Sequence, residues 1–514
     1  MKTFAIIAAL GLGLAWSGGA SATPVDDRID ATDKLQRAGK MNEALAEAQA
    51  AMDLAKASGQ ELEVAKADIN LGAMLVAVGK YNDAEAPLKH ALTVRERRLG
   101  QDDPATLDAV SQYSGFLTFT GRDAEAEPLL ARAVQGQART AKTPAELSSA
   151  AETRGGHGMV LMNLGRWTEG ETELKRSIAE LAAPGLPTSP AQPAFMSVLA
   201  SGYLSWGRYA DARDQGLATL AFREKYQGKD HPELAGALAV VANAELSLGQ
   251  AAEAEQHFRR ALTIAEAGYP PESPLRAKAI QNLAGFYAAT GRPDQADALY
   301  ERSIAQFETS GQLTWAIGQA HLNYAQALLR RGDAAAARAH AETAVGVYEK
   351  NLGPANEGTG LAHLVLAQAL DRLGETARAR AEAETALKIY DKALTPENPR
   401  RGDVLLLQGR LAEHGADPAG ARPLYEQALK LMAPARAGSD GAVVEARVLL
   451  ARRLIAGGSA EGGLDAVRPA AAALRDKALA QSRLLGRGGD AALDDGDRQV
   501  FLTAVDAAWA AGGK

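Results

Sequence analysis

The chain has 514 residues, a formal net charge of −7 and no cysteine. A negative net charge argues against a nucleic-acid backbone as the partner, because proteins that bind phosphate backbones usually carry a basic face. Without cysteine the chain can form neither a disulfide nor a lipidated cysteine, so packing alone must stabilise the fold.

The first residues have the composition of a targeting segment. Lys2 supplies a positive charge, residues 4–16 are predominantly apolar, and Ala20-Ser21-Ala22 fits a small-residue cleavage site. The apolar stretch is shorter than the ~20 residues that a membrane-spanning helix needs. We therefore predict a signal peptide over residues 1–22, cleavage after Ala22, export to the periplasm of a Gram-negative bacterium, and no transmembrane anchor.

A glycine recurs eleven times at intervals of 40 to 44 residues, and alanine or glycine stands five places after each one. A fixed period over more than 400 residues indicates one supersecondary unit stacked repeatedly, rather than a globular enzyme. The glycines are Gly39, Gly79, Gly121, Gly165, Gly207, Gly249, Gly291, Gly332, Gly374, Gly415 and Gly457.

Residues 279–305 show what one unit contains. Apolar residues over 280–287 and again over 296–304 follow the spacing of one helix face. Gly291 lies between them, where a helix commonly ends in a left-handed residue. The pattern predicts helix A, a tight turn and helix B, with a longer loop to the next unit.

The residue five places after the glycine is predicted to lie where helices A and B approach most closely. Replacing Ala296 by leucine should then cost ~1–3 kcal/mol, because the added bulk strains a packed interface. A second regularity lies twelve and thirteen places after the glycine, as in Ala91-Leu92. This pair slips by one place to Ala428-Leu429 and becomes Pro469-Ala470 in the last unit, which departs from the pattern.

The turns carry a family resemblance. Gly79-Lys80-Tyr81-Asn82-Asp83-Ala84 and Gly207-Arg208-Tyr209-Ala210-Asp211-Ala212 resemble the start of the second helix of a tetratricopeptide repeat. A standard unit has about 34 residues and HEAT-type pairs about 40–47. The longer period here, with turns such as Arg95–Pro104 and Arg223–Pro232, resembles the kinesin-light-chain type. The resemblance implies an all-α fold: a right-handed α-solenoid of about eleven helix-turn-helix repeats over residues 27–470.

In this family the A helices line a concave groove that usually takes an extended peptide or a partner helix. Counting back from the glycines places six polar residues of the central repeats there. Carboxamides can pair with a peptide backbone, and neighbouring guanidinium groups can bind a carboxylate. We predict a partner-binding patch; the alternative is a set of solvated polar residues. Its members are Lys278, Asn282, Asn323, Gln326, Arg330 and Arg372.

A clamp for a C-terminal dicarboxylate is not predicted. In the family that clamp needs a lysine ten places before a glycine, with an asparagine four places later. The corresponding residues here include Ile69, Gln281, Leu322 and Leu364, and none of the repeats has lysine at this position.

No catalytic, metal or cofactor chemistry is predicted. His321 and His363 are 42 residues apart at a position that holds Val110 and Leu238 in other repeats, so we predict partly buried packing residues. Asp494–Asp497 lacks the glutamate of a calcium loop, and we expect Asp497 to cap the final helix. The glycines of residues 486–489 lack a P-loop lysine and are predicted to form a loop.

Residues 471–514 lack the repeat and are predicted to form capping helices. Val500, Phe501, Ala504, Val505, Ala508 and Trp509 make one helical stripe. A solenoid needs a cap at an open end, and the alternative is a docking face for a partner helix.

The sequence therefore predicts an exported, non-enzymatic scaffold that binds a peptide or protein in its groove. Two alternatives stay open at this point. One is a structural or assembly component of a cell-envelope or secretion complex; the other is an enzyme hidden in the solenoid, for which the periodic pattern supplies no converging polar residues.

Overall fold

A computed structural model describes residues 23–37, 40–186, 188–271, 273–310, 314–415, 418–434, 436, 438–485 and 495–512. The predicted signal peptide and Gly39 lie outside these residues. The described residues form 23 α-helices, one short 3₁₀ helix and no strand, which confirms the all-α prediction.

The chain divides into two compact units, residues 1–199 and residues 200–514. The first unit contains eight complete helices and the start of α9 (Ala191–Trp206), which crosses the boundary. Its helices are α1 Pro24–Arg37, α2 Met41–Ser58, α3 Glu61–Ala77, α4 Tyr81–Leu99, α5 Pro104–Phe119, α6 Asp123–Thr140, α7 Pro144–Asn163 and α8 Trp167–Leu181.

The second unit contains the remaining fourteen helices, with a 3₁₀ turn at Pro418–Gly420. They are α10 Tyr209–Gln227, α11 Leu234–Ser247, α12 Ala251–Gly268, α13 Pro274–Ala289, α14 Pro293–Ser310, α15 Thr314–Arg331, α16 Ala334–Leu352, α17 Glu357–Arg372, α18 Thr376–Ala393, α19 Pro399–Glu413, α20 Ala421–Met432, α21 Gly441–Ala456, α22 Ala460–Leu485 and α23 Asp495–Gly512.

Within each unit the odd-numbered helices are A helices and the even-numbered helices are B helices. An A helix packs on the B helix that follows it and on the next A helix, as α3 does on α4 and α5, and α13 on α14 and α15. Residue 470, where we expected the repeats to end, lies inside α22.

The turn glycines end the A helices as predicted. Gly79 has φ +81°, and its amide donates to the carbonyl of Val76 while the amide of Lys80 donates to Leu75. This pair of bonds is a Schellman motif. The motif requires one residue in the left-handed backbone conformation, which glycine adopts without strain. Gly121, Gly165, Gly207, Gly249, Gly291, Gly332 and Gly374 are also left-handed.

Two turns differ from the prediction: Gly415 is not left-handed, and in the last turn the left-handed residue is displaced by one place. Gly457 has φ −82°, and Gly458 with φ +83° is the left-handed residue instead. The small buried residue moves by one place as well, to Gly463, because the extra turn residue displaces the start of helix B. In the preceding repeat the 3₁₀ turn has the same effect, and Ala421 replaces Gly420 as the buried residue.

The other small residues five places after a glycine form the interface between helices A and B. Ala296 is 2% exposed, and its counterparts Ala84, Ala254, Ala337 and Ala379 are 0% exposed. Alanine lets the two backbones approach closely, and this close packing is what stabilises each pair in the absence of disulfides.

Most loops from one helix B to the next helix A are longer than the turn within a pair, although residues 59–60 and 141–143 are not, and prolines begin several A helices. Pro104 is the first residue of α5, and the carboxylate of Asp103 accepts a hydrogen bond from the amide of Ala105 at 2.9 Å. Proline is well suited to this place, because the amide that it lacks would have no partner in the first turn.

Candidate functional site

The second unit contains a cavity of about 210 Å³ formed by four successive A helices, α15, α17, α19 and α21. Its floor is apolar and its rim is polar. The floor consists of Leu361, Leu364, Val365, Leu406 and Leu407. The rim consists of the polar side chains of Gln326, Gln368, Asp403, Arg410 and Glu445, together with Ala442.

The repeat explains why these residues meet. Gln326 and Gln368 each stand six places before a turn glycine, and Asp403 and Glu445 each stand twelve places before one. Because A helices of neighbouring repeats pack side by side, residues at the same register position form a row across the surface. The cavity is therefore a property of the row of A helices rather than of one helix.

The charged groups of the rim are paired within the protein. Arg410 lies 2.6 Å from buried Asp371 of the preceding repeat and 3.2 Å from Glu445 of the following one. Asp403 accepts two hydrogen bonds from Arg436, at 2.7 and 2.6 Å. The charged groups that a ligand would meet at the rim are therefore already neutralised by partners within the protein.

The two rim amides differ from the charged groups. Gln326 and Gln368 are half-buried, and neither amide has a hydrogen-bond partner among the described residues. At the same register position Asn243 donates to the carbonyl of Ala239 in its own helix, at 2.7 Å. The two glutamines thus offer donors and acceptors to whatever enters the cavity.

Asn323 of the predicted patch is bonded within the protein. Its amide nitrogen donates to Gln281 at 3.1 Å, and its oxygen accepts from Gln319 at 2.8 Å. The hydroxyl of Tyr348 donates to Gln319 at 3.1 Å. This ladder joins α13, α15 and α16, so Asn323 has a structural role in addition to any contact with a ligand.

Arg372 is also engaged within the protein. It donates to the carbonyl of Leu329 at the end of α15, where helix carbonyls have no partner within the helix. Arg330 is exposed. Lys278 and Asn282 are half-buried one turn apart on α13, and burial lowers the pKa of the Lys278 ammonium.

The structure therefore brings one of the six predicted residues, Gln326, to the rim of the cavity. The cavity lies one to two repeats further along the chain than the centre of the patch. The position nine places before the turn glycine holds Asn282 and Asn323 in two repeats, but Val365 and Leu406 in the two that follow. These apolar residues were a sequence signal for the cavity, because both belong to its floor.

Comparison with known proteins identifies repeats of one family in the chain. A tetratricopeptide-repeat model matches residues 193–267, 233–309 and 316–392, and a second model with the same description matches residues 69–105. These stretches of the chain are tetratricopeptide repeats. No curated protein matches its sequence.

Three solved structures are similar to this chain at low sequence identity. A putative kinesin light chain of Podosopora anserina is 23% identical, with a TM-score of 0.34 over 40% of this chain and 96% of that one. BtubC (BKLC) of P. vanneervenii is 17% identical, with a TM-score of 0.38 over 45% and 92%. A Rap protein complexed with competence and sporulation factor is 15% identical, with a TM-score of 0.44 over 78% and 99%.

The two equivalent histidines of the tetratricopeptide repeats are buried between helices A and B, as predicted. His321 and His363 are 8% and 7% exposed. His321 pairs with His340 of the same repeat. In the following repeat His363 pairs with Glu382. Among the described residues no group of three or more histidine and carboxylate side chains could hold a metal ion.

At the C-terminal end the structure corrects the prediction that Asp497 caps the final helix. Helix α23 begins at Asp495, so Asp497 lies in its first turn and is not the residue that precedes the helix. The glycines of residues 486–489 lie outside the described residues. None of the described helices has the length and apolarity of a membrane span.

Proposed function

We propose that this protein is an exported, non-enzymatic scaffold that binds an extended peptide segment of a protein partner in the groove of the second unit. The observation that carries this proposal is the cavity between α15 and α21. It combines an apolar floor with two amides, Gln326 and Gln368, that have no partner among the described residues.

The chemistry of the cavity favours a peptide over a small metabolite or a nucleic acid. Its volume of about 210 Å³ is below the ~300–1,000 Å³ of typical small-molecule sites. It suits one large apolar side chain, while the amides of Gln326 and Gln368 bind the backbone on either side. The rim charges are compensated, so the cavity does not attract phosphates.

The export step rests on residues 1–22, which have the pattern of a signal peptide. Cell fractionation of the native host, followed by N-terminal sequencing of the mature protein, tests it. A periplasmic protein that begins at Thr23 supports export. A cytoplasmic protein that retains Lys2 contradicts it and leaves the groove proposal unaffected.

Selection of binders from a displayed library of random peptides, followed by calorimetry with the purified protein, tests the groove. We expect peptides with a bulky apolar residue, and we expect the Gln326→Ala/Gln368→Ala variant to bind them at least tenfold more weakly. Ala442→Phe should also weaken binding, because its ring fills the cavity from the rim.

Asn243→Ala is the matched control, since Asn243 occupies the same register position outside the cavity. It should leave the affinity unchanged. A triple variant, Asn282→Ala/Asn323→Ala/Arg330→Ala, tests whether the patch extends the site. If the selected peptides bind the cavity variants as tightly as the wild type, the cavity is not the binding site.

A further inference from the structure

Three successive repeats of the second unit share a close contact between a glycine of helix A and a large side chain in the second half of helix B. A Cβ at Gly318 would lie 2.9 Å from the ring of Tyr348, and a Cβ at Gly360 would lie 2.6 Å from the ring of Tyr390. The two tyrosine rings therefore occupy equivalent places. The glycines are Gly318, Gly360 and Gly402, and the large side chains are Tyr348, Tyr390 and Met432, spaced 42 residues apart in both rows.

The residue after the glycine decides whether the tyrosine hydroxyl has a partner. After Gly318 comes Gln319, whose side-chain oxygen accepts the hydroxyl of Tyr348 at 3.1 Å. After Gly360 comes Leu361, which offers no acceptor in its side chain. The hydroxyl of Tyr390 is accordingly buried without a hydrogen-bond partner among the described residues, in a side chain that is 0% exposed.

The hydroxyl of Tyr390 is a neutral donor. Burial, together with the nearby carboxylate of Asp403, raises the pKa of this hydroxyl, so it stays protonated at pH 7. Asp403 itself accepts from Arg436 through both of its oxygens. A buried hydroxyl without a partner lowers the free energy of unfolding, because it has lost its hydrogen bonds to water. The structure of the repeat alone does not account for a tyrosine at this place, since phenylalanine would fill the same space.

Leu361 also marks the end of a polar row in the groove. In the preceding repeat Gln319 donates to Asn323, and Asn323 donates to Gln281. Leu361 and Val365 replace Gln319 and Asn323 one repeat later, and both belong to the apolar floor of the cavity. The same exchange of glutamine for leucine therefore makes the floor apolar and leaves the hydroxyl of helix B without an acceptor.

We propose that Leu361 determines the specificity of the cavity for apolar side chains, and that the unpaired hydroxyl of Tyr390 is the accompanying loss of stability. This inference rests on the proposed binding of a peptide in the cavity. The side chain that Leu361 selects has no polar end, because a polar end at this floor loses its water without gaining a partner. Leu361→Gln would supply an acceptor to Tyr390 and place an amide on the floor.

A double-mutant cycle in urea unfolding tests the pairing of the two side chains. In the wild type, Tyr390→Phe should leave the unfolding midpoint unchanged or raise it, because it removes a hydroxyl without a partner. In the Leu361→Gln background the same change should lower the midpoint, because it removes a hydrogen bond. Tyr348→Phe is the matched control and should lower the midpoint of the wild type, since its hydroxyl bonds Gln319. An equal effect of Tyr390→Phe in both backgrounds overturns the proposal.

Calorimetry with peptides selected on the wild type tests the specificity. Leu361→Gln should bind them at least ~10-fold more weakly, because their apolar side chain then meets a polar floor. It should bind the same peptide with glutamine at the apolar position more tightly than the wild type does. Leu361→Met keeps the floor apolar and should bind like the wild type. Tyr390→Phe should also bind like the wild type, since Tyr390 lies beneath the cavity and is not part of its lining.

The binding results separate this inference from the proposed function. If Leu361→Gln binds the selected peptides as tightly as the wild type, while Gln326→Ala/Gln368→Ala weakens their binding, the cavity is the binding site but Leu361 does not determine its specificity. If neither variant weakens binding, the proposed function is wrong, and the inference about Leu361 is wrong with it.

Discussion

His321 and His340 join α15 to α16 through ring nitrogens, with their Nδ1 atoms 2.8 Å apart. One repeat later the same two positions hold His363 and Glu382, 2.6 Å apart. Burial, together with the neighbouring imidazole, lowers the pKa of His321 to about 4, and burial also lowers the pKa of His340. The first pair is therefore neutral at pH 7, with one ring donating and the other accepting.

This pair predicts a loss of stability in acid. Because the folded-state pKa of His321 lies below its unfolded value, the unfolded chain binds a proton first as the pH falls. The stabilisation is complete above pH ~6.5 and is lost progressively toward pH 4. We expect this residue to lower the free energy of unfolding by up to ~3 kcal/mol across that interval, measured by urea unfolding at a series of pH values.

The variant His340→Glu serves as the control for the acid effect, since it copies the pair of the following repeat. A carboxylate next to His321 favours the protonated imidazole, so the loss of stability between pH 6.5 and pH 4 should shrink. If the wild type and His340→Glu lose the same stability in acid, other titrating groups cause the effect.

The close approach of helices A and B predicts a steric effect at Ala296. Ala296→Leu should lower the free energy of unfolding by ~1–3 kcal/mol, because Ala296 is 2% exposed and its surroundings are fully packed. Ala289→Leu adds the same side chain at an exposed position near the end of α13 and should have little effect. Thermal melting of both variants tests whether Ala296 lies at the contact between helices A and B. Equal melting temperatures would argue against this placement.

The displaced last turn predicts opposite outcomes for two adjacent glycines. Gly458→Ala should cost ~1–2 kcal/mol, because its φ of +83° forces a Cβ into the left-handed region. Gly457→Ala should be neutral or slightly stabilising, since its φ of −82° suits any residue and alanine restricts the unfolded chain. Chemical unfolding of the two variants measures the two changes in the free energy of unfolding. A larger loss of stability for Gly457→Ala than for Gly458→Ala would contradict the assignment of Gly458 as the left-handed residue.

The buried carboxylate of Asp371 predicts that Arg410 stabilises the second unit. Arg410→Gln should lower the free energy of unfolding by ~2–3 kcal/mol, because Asp371 is then left buried with His414, 3.7 Å away, as its remaining partner. Arg422→Gln is the control, since its ion pair with Glu426 is exposed on both sides and should contribute ~0–1 kcal/mol. Equal unfolding curves for the two variants would show that Arg410 has no structural role.

The sequence by itself determined the repeat and therefore the fold. A period near 42 residues places the glycine of each turn, the alanine between the helices and the buried histidines His321 and His363 at fixed register positions. Those features depend on contacts within one helix pair, between residues close along the chain, so a local pattern is sufficient to predict them. The slip at Ala428-Leu429 was visible for the same reason.

The tertiary structure decided which part of the groove is a cavity and which faces are bare. Asn323 and Arg372 look available in the sequence, but they bond Gln281 and the carbonyl of Leu329, which belong to the preceding repeats. The pairing of Arg410 with Asp371, and the exposure of Trp509 on α23, likewise depend on contacts between helices about 40 residues apart or further. Such contacts are set by side-chain orientation across neighbouring repeats, which a single helical period does not specify.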